Sequence, residues 1–168
     1  MRFFTRAWHG GEMADAEAER VASAYEAHLS ALGLRLPNDA RRLWTDVSLH
    51  DALLRTVERA ANGFELLFRA GDNSTGYFDA RLSYDDVTLS PSDEQFLRNA
   101  VGRRDVELLY DEFDAADTHW VHRFLFWPYH EVSVHFGAFT LAVTPARGRF
   151  DPDEGESNAS MKGDESKD

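Results

Sequence analysis

Between residues 13 and 32 the apolar positions Ala18, Val21, Ala22, Tyr25, Leu29 and Leu32 recur at steps of three and four, with Glu17, Glu19, Arg20 and Glu26 on the other side. That spacing predicts an amphipathic helix, with acids at the positive end of its dipole and Gly33 as its C-terminal stop. Pro37, Asn38 and Asp39 then start a second, shorter helix with an apolar stripe of Leu43, Trp44 and Val47. From residue 52 onward the period shortens to two. Residues 52–59 and 64–69 meet across Asn62-Gly63 as a hairpin, with Phe64, Leu66 and Phe68 on the buried side. A turn cluster at 71–76 leads into a third strand, where Phe78, Ala80, Leu82 and Tyr84 alternate with Tyr77, Asp79, Arg81 and Ser83.

Ser90 and Pro91 open a third helix, anchored by Phe96, Leu97, Ala100 and Val101 and ended by Gly102. Three strand-like runs follow at 106–113, 118–127 and 131–144. The middle one carries Trp120, His122, Phe124 and Phe126 on one face and Val121, Arg123, Leu125 and Trp127 on the other, as an inner strand would. Gly137 suits a bulge or bend in the last run. The expected architecture is an α+β domain over residues 1–150: two N-terminal helices and one mid-chain helix, packed on one face of a mostly antiparallel sheet of about six strands, with room for partial rolling.

Composition narrows the chemistry. The chain has 168 residues, 43% of them hydrophobic, which is enough for one buried core. Its net charge is −12, and residues 151–168 hold seven acids against two lysines, which leaves −7 on the body. An acidic body argues against holding nucleic acid by phosphate neutralisation and against docking on anionic lipid. The absence of cysteine excludes disulfides, thiol catalysis and Cys-type zinc or Fe–S sites. All sixteen basic residues before position 151 are arginines, so the body holds neither a P-loop lysine nor a Schiff-base lysine. The opening residues carry no apolar run of signal-peptide length, and a cytoplasmic chain is expected. Ala159 and Met161 are the only apolar residues in 151–168, so a disordered acidic tail is expected there.

The residue pair with the most chemical character is His50-Asp51, a histidine beside a carboxylate at a loop-to-strand junction. Neighbours on an extended backbone point apart, so the two meet only if the junction bends; the plain reading has Asp51 bonding local backbone. Tyr77 and Asp79 share the strand face opposite Phe78 and would complete a ligand pocket with His50 and Asp51. Trp127-Pro128-Tyr129-His130 is the first candidate for recognition, because proline interrupts the sheet there and leaves aromatics on a connection. His119 and His122 differ in strand parity, as do His130 and His135, and a metal site assembled from His122, His135 and Asp79 follows no recognised spacing. No metal or cofactor is expected. The acidic run 111–117 reads as a solvated hairpin turn.

The opening residues 1–8, the helix with Tyr25 and Leu29, Leu49-His50-Asp51-Ala52, Gly76-Tyr77-Phe78-Asp79 and Leu125-Phe126-Trp127-Pro128 together resemble a bacterial family catalogued as a domain of unknown function. The likeness spans roughly residues 1–145. It implies a small bacterial cytoplasmic domain, a helical N-terminal third on an antiparallel sheet, and no activity or catalytic residue to transfer. The leading expectation is a non-enzymatic interaction domain, of the immunity-protein kind, that holds a protein with a basic surface. The alternative is an enzyme or small-ligand binder with a pocket at His50, Asp51, Tyr77 and Asp79.

Overall fold

Helices appear where the three- and four-residue spacing places them. The computed structural model describes residues 1–61, 63–116 and 118–150; Asn62, Asp117 and the acidic tail expected at 151–168 lie outside the described residues. A short helix α1 (Arg6–His9) starts at Thr5, whose hydroxyl accepts from the Trp8 amide. Helix α2 (Asp15–Leu32) buries Tyr25 and Leu32 and stops at Gly33, which has a φ of 55°. After one 3-10 turn, α3 (Asn38–Asp46) buries Ala40 and Leu43. Helix α4 (Pro91–Ala100) begins at Ser90, whose Oγ accepts from the Asp93 amide at 3.1 Å.

The seven strands among the described residues are β1 (Leu53–Arg59), β2 (Gly63–Asp72), β3 (Gly76–Asp85), β4 (Leu108–Ala116), β5 (His119–Phe126), β6 (His130–Phe136) and β7 (Ala138–Ala146). They form two antiparallel sheets, ordered β1-β2-β3-β7 and β4-β5-β6, so the chain is α+β. Their inner faces meet through rings: Phe68 against Phe124 at 6.0 Å, Tyr84 against Phe136 at 5.3 Å and Phe113 against Phe139 at 5.5 Å between centroids. Each such fully buried ring removes enough apolar surface from water to contribute roughly 2–3 kcal/mol. The sheets touch along their edges at isolated bridges, Ala52 with Leu108 and Thr88 with His135, without closing a barrel. No helix among the described residues is long and apolar enough to cross a membrane.

Three expectations need correction. The run 131–144 is two strands, because the chain turns a corner at Gly137 and passes from one sheet to the other. A Cβ on Gly137 would lie 3.1 Å from the Asp86 Cβ, a tight approach that glycine leaves open at the corner. The helices do not share one sheet face. The two sheets already cover each other, so α4 packs against the edge strands β1 and β6, α3 against β7 and α2 against β4. The acidic run, finally, is mostly strand: β4 continues through Ala116, with Glu112 and Asp114 buried.

The β2–β3 turn is held by the Asp72 carboxylate, which accepts from the Ser74 and Thr75 amides and hydroxyls; these bonds, led by the Ser74 hydroxyl, bring it down to about 2. At its base, Gly71 has a φ of 92°, and a Cβ there would stand 2.1 Å from the Gly76 carbonyl oxygen. Gly76 has a similar φ of 88° but open space around it. Gly71→Ala is expected to cost about 3 kcal/mol in urea unfolding and Gly76→Ala about 1 kcal/mol, the second reporting backbone strain alone. Equal losses would show that the close approach at Gly71 carries no weight.

Candidate functional site

On β4, Tyr110, Glu112 and Asp114 share one face and Asp111 and Phe113 the other, after a bulge between Leu108 and Tyr110. Glu112 is fully buried, and its carboxylate accepts from the backbone amides of Arg2, Phe3 and Phe4, the last two at 2.9 and 3.3 Å. Residues 2–4 are thereby wrapped onto the sheet. This puts the Phe4 ring 5.0 Å from both Trp8 and Tyr25, 5.6 Å from Tyr110 and 6.4 Å from Trp44.

The result is a cleft of about 510 Å³ between α1, the end of α3, the 47–50 loop and β4. Phe4, Trp8, Trp44 and Tyr110 supply its rings, and Asp46, His50 and Asp111 its ionisable groups. Two series of polar contacts reach it. At the rim, the Asp51 carboxylate lies 2.9 Å from His50 Nδ1, and His50 Nε2 lies 3.2 Å from the Tyr110 hydroxyl. Burial first, and the Asp51 charge second, push the Tyr110 phenol up, so it keeps its proton beside His50. From the core side, Tyr84 Oη lies 2.8 Å from His122 Nδ1 and His122 Nε2 lies 2.9 Å from Asp111 Oδ2. Complete burial pushes Tyr84 up and His122 down. The imidazole is therefore neutral, accepting from Tyr84 and donating from Nε2 to Asp111, which it fixes at the cleft wall.

No family model, curated protein or solved structure matches this chain. The site is thus read from its own geometry.

His50 and Asp51 do meet, because Asp51 takes a φ of 60° and bends the junction; its carboxylate lies 2.9 Å from His50 Nδ1, where local backbone bonding was expected. Trp127 and Tyr129 lie on the same side of the molecule, with centroids 5.0 Å apart. His9 links them to the cleft, 5.8 Å from Tyr129 and 5.7 Å from Tyr110. Tyr77 and Asp79 do not join: Asp79 holds the buried Arg69 at 2.6 Å, the Tyr77 hydroxyl donates to Asn73, and neither lines the cleft. The four-residue pocket of His50, Asp51, Tyr77 and Asp79 does not form. His130 stacks on Phe96 at 3.8 Å as part of the α4 packing, away from that strip. Among the described residues, no three His, Asp or Glu side chains gather as a metal site would need.

Sequence reasoning missed Tyr110, Asp111 and His122 as one constellation, and Trp8 and Trp44 as cleft walls. A signal existed in the alternation itself. Asp111 falls between Leu109 and Phe113, and His122 between Trp120 and Phe124, each a lone titratable residue on an apolar strand face.

The neutral His122 generates a pH prediction. Its folded-state value lies below the ordinary 6.5, so the unfolded chain takes up a proton that the folded one refuses. That contribution is fully present above pH 6.5 and is lost as pH falls from there through the depressed value. Chemical unfolding from pH 8 to 5 is expected to show falling stability over this window, with a shallower slope in His122→Gln. An unchanged slope in the variant would remove His122 as the source.

Proposed function

We propose that this chain is a non-enzymatic interaction domain of the bacterial cytoplasm that holds another protein through that partner's basic surface. The observation that carries the reading is Trp44. It is 39% exposed and separates the cleft from a second hollow of about 510 Å³, which is lined by Leu29, Leu36, the 89% exposed Leu34 and the opposite charges of Glu26 and Arg41. Two concavities that share one accessible indole, the first with acids in its lining, have the composition of an interface centre, where tryptophan commonly dominates binding energy. The chain's −12 charge favours encounter with a basic protein and opposes nucleic acid.

The full chain, immobilised in bacterial lysate at low and moderate salt, is expected to retain a basic protein in stoichiometric amount. Affinity and association rate in the purified complex should fall as salt rises, and Trp44→Ala should weaken it by roughly 2 kcal/mol. Retention of nothing specific, or a complex indifferent to salt, would sink the reading.

The Asp51–His50–Tyr110 chain favours a second reading, a small-ligand binder with His50 available for proton transfer. A ligand screen by thermal shift would then yield compounds that raise the melting temperature of the wild type but not of His50→Ala. A screen in which both respond alike would dismiss it.

A further inference from the structure

We infer that the cleft beside Trp44 receives a single arginine side chain of the partner; this rests on the interaction reading above and names its anchor. The folded body contains sixteen arginines, and not one lines the cleft, whereas Asp46 and Asp111 do. The cleft's formal charge is therefore negative and uncompensated at its walls. Asp111 presents its carboxylate in a set orientation: Oδ2 is taken by His122 Nε2 at 2.9 Å, and Oδ1 has no hydrogen-bond partner among the described residues. Asp111 and the exposed Asp46 line the same cleft as Trp8, Trp44 and Tyr110, and carboxylates and rings in one cleft suit a guanidinium, which stacks on aromatic faces and donates in the plane to oxygen. An ammonium is a compact, strongly hydrated charge that lacks the planar stacking face.

The molecule already lays guanidinium groups on its own rings, one of them near the cleft. Arg6 lays its guanidinium over the Tyr129 ring, 4.4 Å from the centroid, on the aromatic strip that His9 continues to Tyr110. Asp46 is a further sign, since it is the last residue of α3 and exposed. A carboxylate there opposes the negative end of the helix dipole, so its placement disfavours the helix while suiting an incoming cation.

The test uses the full chain and three acetylated, amidated pentapeptides, Gly-Ser-X-Ser-Gly, with X as arginine, lysine or the uncharged isostere citrulline. Binding is followed by tryptophan fluorescence and calorimetry. The arginine peptide is expected to saturate, to bind roughly tenfold tighter than the citrulline peptide, and to outrank lysine. Asp46→Asn is expected to weaken it several-fold without lowering the melting temperature, and Trp44→Ala to abolish it. Equal binding of arginine and citrulline, or no saturable binding, overturns the inference. So does a captured basic partner whose affinity falls with Trp44→Ala but ignores Asp46→Asn, which would leave the interaction domain standing without its arginine pocket. Arginine-selective binding with no partner captured would overturn the domain reading and leave the pocket.

Discussion

The buried carboxylate of Glu112 is the constraint on which the site depends. An ionised acid withdrawn from water is tolerable only when its oxygens are met by donors. Here the donors are backbone amides of residues 2–4, with the Arg123 guanidinium 3.6 Å away. Those same amides would otherwise be unsatisfied against the sheet, so each side satisfies the other. The consequence is positional. Once the amides are held, Phe4 has no choice but to fill the space among Tyr25, Trp8, Trp44 and Tyr110, and the cleft has its floor and walls.

Behind this wall the core contains a second polar commitment. Tyr84 and His122 are wholly buried in an otherwise apolar, ring-filled interior, and each finds a hydrogen-bond partner, so neither is left unpaired in low dielectric. The packing fixes the imidazole from both sides, with Phe113 at 3.9 Å and Phe124 at 4.0 Å between centroids. An imidazole that cannot turn holds Asp111 in one orientation. The rim chain through Asp51 and His50 differs, since both side chains are about half exposed and solvent screens their pairing.

Charge distribution connects these commitments to function. Many of the arginines are tied to the chain's own acids, as in Arg59 with Glu94, Arg81 with Glu65 and Arg103 with Asp105. Such exposed pairs add little to stability, but they neutralise much of the surface locally. The acids that line the cleft, Asp46 and Asp111, have no arginine beside them in its lining, where the aromatic rings are accessible.

The pattern of apolar positions by itself determined the α2, α3 and α4 helices, the β1–β2–β3 meander and the inner place of β5, because periods of 3.6 and 2 are local consequences of burying one face. Charge and composition alone excluded lysine and cysteine chemistry. The bend at Asp51 and the split at Gly137 were beyond local reading. A positive φ at aspartate depends on the hydrogen bond from the Asp51 amide to the Leu108 carbonyl, and a sheet-to-sheet corner depends on which strands pair. The run 111–117 read as turn because its acids are polar; only the arrival of residues 2–4, more than a hundred positions away in sequence, made a buried strand of it. The joining of Tyr110, Asp111, His50 and Trp44 into one cleft is likewise a tertiary decision, since long-range pairing, and no spacing along the chain, brings those side chains together.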